Sequence, residues 1–74
     1  MDSYLSEQIA RLETAREGQP DSTEVRRARV VLLRARQAQR DNLIRNAPLL
    51  RRHLLFDIRN ALIALEKETL CPTH

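Results

Sequence analysis

The sequence predicts an all-α fold: a short N-terminal helix followed by an antiparallel hairpin of two longer helices, packed in coiled-coil fashion. Three observations carry that prediction. Leu, Ala, Arg, Gln and Glu dominate, with one glycine, three prolines, one Tyr and one Phe, a balance that favours helix over sheet. Two breaks, Gly18-Gln19-Pro20 and Asn46-Ala47-Pro48, divide the chain. Within each segment the apolar residues recur at helical spacing. With 74 residues the chain makes one helical domain over 1–74, with helices expected near 3–17, 22–46 and 48–69 and a tail over 70–74.

Helix one starts where Asp2 or Ser3 can cap it, and Tyr4, Leu5, Ile9, Leu12 and Ala15 form its single apolar stripe. Ser6, Glu7, Glu13, Thr14 and Glu17 make the other side polar. A helix of this length is weak alone, so it is expected to dock on the others. Gly18 suits the left-handed position past a helix end, and Pro20 blocks continuation. Asp21-Ser22-Thr23-Glu24 then restarts the chain in a capping-box pattern, with Asp21 accepting from the backbone and Glu24 reaching back.

Helix two is the organising element. At about 100° per residue, Ala28, Val31, Leu32, Ala35, Ala38 and Leu43 share one broad face with Val25 at its edge. Its small residues suit close helix packing. Val30, Leu33 and Ile44 fall on the opposite side with Gln37 among them. Arg26, Arg29, Arg36 and Arg40 fence that second strip on one flank, and Arg27, Arg34 and Arg45 on the other. The end is expected at Asn46, which tolerates the left-handed conformation, with Pro48 at the first position of the next helix. A single kinked helix over 23–69 is the rival, but it leaves the small-residue face without an intramolecular partner.

Helix three repeats the design. Leu54, Leu55, Ile58, Ala61, Leu62 and Leu65 make its main face, while Leu49, Phe56, Ile63 and Leu70 recur every seven residues on the other side. Arg52, Arg59 and Asn60 stand beside them.

Composition bounds the function classes. Apolar residues are 42% of the chain, enough to fold, though a core at this size is marginal and partners often add burial. Cys71 is the one cysteine, so no internal disulfide forms and a reducing compartment is expected. The Met1-Asp2-Ser3 start has neither a basic nor an apolar leader. The longest apolar runs, Val30–Leu33 and Ala61–Leu65, are far short of a membrane span. These features together lead us to expect a cytoplasmic protein that does not insert into membranes.

Charge is uneven: residues 1–20 carry −2, residues 21–47 carry +4 and residues 48–74 carry +1. Twelve of the thirteen basic residues are Arg. A GC-rich genome produces such an excess without selection; a partner bearing carboxylates or phosphates, gripped bidentately by the guanidinium fork, explains it as well.

No catalytic constellation stands out: there is no Gly-rich phosphate loop and no nucleophile elbow. His53 and Asp57 lie four apart on helix three, and Cys71 and His74 share the tail, too few ligands at too loose a spacing for a metal site. The expectation is a non-enzymatic protein without cofactor or metal. Nucleic-acid binding has the basic middle helix in its favour. Against it, the arginines flank an apolar strip instead of forming one basic face, and stacking aromatics are lacking. A bland reading of the second strips is also available, since scattered exposed apolar residues are ordinary. Helix one, however, has only one stripe and cannot cover both, and an uncovered apolar strip rimmed by Arg has the composition of a protein interface. The partner-binding candidates are therefore Val30, Leu33, Ile44, Leu49, Phe56 and Ile63, with Arg29, Arg36 and Arg40.

The opening Leu5-Ser6-Glu7-Gln8-Ile9-Ala10-Arg11-Leu12-Glu13, the short acidic first helix, the break and the hairpin of longer helices together resemble the small co-chaperones of bacterial type III secretion needle subunits. That resemblance implies cytoplasmic residence and pairing with a larger helical-repeat chaperone, the pair keeping a needle subunit monomeric before export. The alternatives are a small basic nucleic-acid-binding regulator and a self-associating structural bundle.

Overall fold

The computed structural model describes residues 2–70, with side chains described through residue 67. Cys71 and His74, and the side chain of Leu70, lie outside the described residues. The described residues form three helices: α1 (Ser3–Arg16), α2 (Thr23–Arg40) and α3 (Pro48–Leu70). They pack side by side in an elongated bundle of 46 × 18 × 16 Å, an all-α fold.

Each helix begins where a side chain or ring fits its first turn. The Asp2 carboxylate accepts from the Leu5 N–H at 3.2 Å, satisfying one of the donors a helix start leaves open. At α2 the cap is Ser22, whose hydroxyl accepts from the Val25 N–H at 3.2 Å. This corrects the expected box: Asp21 lies one residue before the cap and pairs with Arg26 at 3.2 Å. Pro48 opens α3, where its missing N–H costs nothing. Gly18 follows α1 with φ +78°, the left-handed position expected of it.

The end of α2 differs from expectation. The helix stops at Arg40 instead of continuing to Asn46. Asn42, not Asn46, takes the left-handed conformation, at φ 55°. The Leu43 N–H donates to the Ala38 carbonyl at 3.0 Å and the Asn42 N–H to the Gln39 carbonyl at 3.1 Å. These are the paired bonds of a Schellman motif, which consume carbonyls the helix end would otherwise leave open. Asp41-Asn42 are poor helix formers whose local turn chemistry overrides the apolar period beyond them. The consequence is an exchange of roles: Leu43, expected in the core, is 53% exposed, while Ile44, expected on the outer strip, is half-buried against the core.

The core lies between all three helices. α1 contributes Leu5, Ile9 and Leu12; α2 contributes Val25, Ala28, Val31, Leu32, Ala35 and Ala38; α3 contributes Leu54, Ile58, Ala61 and Leu65. These are the broad faces marked by spacing, and no polar or charged residue is buried among the described residues. Leu50, Leu55 and Leu62 pack at its edge. Ala28 and Ala35, both fully buried, let the neighbouring backbones come close.

Helix directions follow from polar links across the bundle. Gln39, at the end of α2, donates to the Ser6 hydroxyl near the start of α1 at 3.0 Å. Farther along, Arg36 pairs with Glu13. α1 and α2 are therefore antiparallel. Arg51, in the first turn of α3, donates to the Asp2 carboxylate and sits over the Tyr4 ring at 5.8 Å, a cation–π arrangement. α1 and α3 thus start together, and α2 and α3 form the expected antiparallel hairpin, joined through residues 41–47. Tyr4, expected in the α1 stripe, is instead largely exposed and serves Arg51.

Asp2 is both cap and ion-pair partner, which makes its charge state a stability determinant. Its hydrogen bond from Arg51, and then the one from the Leu5 N–H, hold its pKa below the usual value of 3.8. The sign follows by linkage: stabilisation is complete above the unfolded-state pKa and disappears as pH falls through the lower folded-state pKa. Asp2→Asn keeps a capping acceptor and removes the charge. Wild type should exceed this variant in urea midpoint at pH 7, with the gap closing below about pH 4. A gap independent of pH would show that the carboxylate charge contributes nothing.

Candidate functional site

The two faces of α2 and α3 that point away from the core carry most of the predicted interface. Val30 and Leu33 on α2, and Leu49, Phe56 and Ile63 on α3, are between 41% and 68% exposed. Their places follow from the helical period: each lies about half a turn from its helix's buried face. On α3 the three residues recur at seven-residue intervals, and on α2 Val30 and Leu33 are three apart. Both spacings produce a narrow stripe along the helix axis.

The arginines beside the α2 strip divide in their tasks. Arg36 is a partial correction, since its guanidinium is paired with Glu13 of α1 and helps to hold α1 in place. Arg40 is 77% exposed at the side chain and lies 3.9 Å from Asp41, a contact of little strength at that exposure. Arg29 is exposed and lines a small recess of about 400 Å³ at the other end of the bundle, with Arg16, Gly18, Asp21 and Arg26. In Arg16 the Nε atom is buried and makes no hydrogen bond among the described residues. Ile44 drops out of the strip for the reason given above.

A larger feature escaped sequence reasoning altogether. At the end of the bundle where α1 starts, α2 stops and α3 starts, an open cleft of about 1170 Å³ is lined by Arg36, Arg40, Arg45 and Arg51. Asp2, Ser6, Gln39 and Asn42 supply further polar groups, and Ala38, Ile44 and Pro48 its apolar part. These residues come from two separated stretches, 2–6 and 36–51, and the cleft exists because α2 ends at Arg40 and the chain from 41 to 47 bends around it. The available signal was Asp41-Asn42, a turn-forming pair followed by Arg45.

Among the described residues, no group of three or more His, Cys, Asp or Glu side chains is placed to hold a metal ion. No helix among them is long and apolar enough to cross a membrane.

The class these features define is a small three-helix bundle with apolar stripes on two outer helix faces and a basic cleft at one end. No protein-family model, curated protein or solved structure matches the chain.

Proposed function

We propose that this is a non-enzymatic protein-interaction module whose outer α2 and α3 strips dock against helices of another chain. One observation carries the reading: Val30, Leu33, Leu49, Phe56 and Ile63 remain exposed after the chain has packed all three of its helices. Covering a large apolar side chain contributes about 1.5–3 kcal/mol, and exposed arginines beside such strips suit the rim of an interface. In its specific form, the module is a cytoplasmic co-chaperone that pairs with a helical-repeat chaperone and holds a secretion needle subunit. The short first helix, set in a net acidic N-terminal segment, and the hairpin of longer helices support that form.

Native mass spectrometry of the protein isolated from its own host tests both levels. The expected composition is a defined complex with a helical-repeat protein, or with that protein and a needle subunit. Phe56→Ala and Leu33→Ala should stay helical by circular dichroism yet bind that partner about 10–30-fold more weakly, as buried aromatic and aliphatic anchors do. A homo-oligomer would select the self-associating form of the module. A wild-type protein isolated as a lone monomer would sink the reading, and salt-released nucleic acid in its place would favour a basic regulator.

A further inference from the structure

We propose that the cleft between the end of α2 and the starts of α1 and α3 binds an acidic, partly apolar peptide segment, with Arg40 and Arg45 receiving its carboxylates. The proposal rests on the interaction-module reading and deepens it, because it names the partner's chemistry at one end of the α3 strip.

Of the four arginines lining the cleft, two are committed within the fold. Arg36 is paired with Glu13, and Arg51 is held by Asp2 and lies over Tyr4. The other two are open. Arg40 has only the 3.9 Å approach of an exposed Asp41, and Arg45 forms no ion pair among the described residues. Two open guanidinium forks offer planar, bidentate sites for carboxylates.

The remaining lining decides what kind of anion fits. Ile44 and Pro48 present apolar surface beside the arginines, and the Asp2 carboxylate is also part of the wall. A nucleic-acid backbone is served best by a continuous row of open cations. This cleft instead combines cations with hydrocarbon and includes an anion of its own. Its volume of about 1170 Å³ accommodates several side chains. Continuity gives the segment a direction: Pro48 lines the cleft, and the next residue, Leu49, begins the exposed α3 strip. A chain leaving the cleft therefore runs onto Leu49 and towards Phe56, so the partner's acidic end belongs at the cleft.

The test is a titration of the isotopically labelled full chain, followed by NMR, with a synthetic amphipathic peptide of alternating Leu and Glu pairs. Saturable shifts are expected at Asn42, Ile44 and Arg45. Arg40→Gln combined with Arg45→Gln should weaken binding about tenfold or more, whereas Arg11→Gln on exposed α1 should not. A peptide with Gln in place of Glu should bind equally poorly to both proteins. The proposal is overturned if no saturable shifts occur, if the Gln peptide binds wild type as well as the Glu peptide, or if a short DNA duplex binds the cleft more tightly. None of those outcomes touches the outer strips, which are judged by the Phe56→Ala and Leu33→Ala association measurements.

Discussion

Ile58→Ala is expected to lower the melting temperature by at least about 10 °C and to leave much of the chain unfolded near 37 °C. Ile58 is 1% exposed and sits on α3, which like each helix of the bundle packs against the other two. Truncating a fully buried Ile removes its transfer free energy and opens a cavity, a combined cost of about 2–5 kcal/mol. A chain of this length has a total stability of about 4–11 kcal/mol by the usual value per residue, so one substitution consumes a large share. Phe56→Ala is the matched control, two residues earlier on the same helix and mostly exposed. It should change stability by less than about 0.5 kcal/mol. Thermal melts followed by circular dichroism at 222 nm separate the two. Equal loss in both variants would mean that Phe56 is structural and that the α3 strip is not a free surface.

The contrast between those two residues was visible in the sequence, because helical spacing alone assigns Ile58 and Phe56 to opposite faces. The same spacing identified every buried residue of α2, from Val25 to Ala38. It failed after Arg40, where the apolar period continues through Leu43 and Ile44 but the helix does not. Periodicity is a signal of burial conditional on the helix persisting, and cap chemistry decides whether it persists. Asp41-Asn42 carried that information, in a pair of residues easily outweighed by two apolar neighbours. The start of α2 shows the same limit at smaller scale: Asp21, Ser22 and Thr23 are all competent caps, and only the packed structure selects Ser22.

The placement of α1 was less legible. Its docking onto the hairpin was expected from its weakness alone, and in the structure Asp2–Arg51, Ser6–Gln39 and Glu13–Arg36 link it to α2 and α3. Those pairs join residues 23 to 49 positions apart, and one sequence provides many alternative Glu–Arg and Asp–Arg combinations. The charge imbalance between residues 1–20, at −2, and the Arg-rich segment over 21–47, at +4, is their trace in the sequence. It also changes the account of the arginines. Part of the excess, Arg36 and Arg51, holds the bundle together; the exposed arginines without such a partner are spread over all three helices, and Arg40 and Arg45 line the cleft.

Ala35→Leu is expected to destabilise the bundle by about 1–3 kcal/mol, and by more if the helices cannot separate. Ala35 is completely buried, with 0% of its surface accessible. It lies on the α2 face with Ala28 and Ala38, where small side chains set how near the neighbouring helices come. Leucine adds three carbons to a space already filled by Leu and Ile side chains. Close-packed interiors absorb such a volume only by shifting backbones or forcing strained rotamers. The intrinsic helix preferences of Ala and Leu are nearly equal, so propensity does not cloud the comparison. Gln37→Leu makes the control, two residues along the same helix on the outer strip, where the side chain is exposed. That variant should unfold at about the wild-type urea concentration and, by carrying the apolar strip of Val30 and Leu33 one turn further along α2, should bind a partner helix more tightly. Urea unfolding of both variants decides the matter. If Ala35→Leu keeps the wild-type midpoint, α2 is not packed closely on its neighbours, and the small-residue face has another reason to exist.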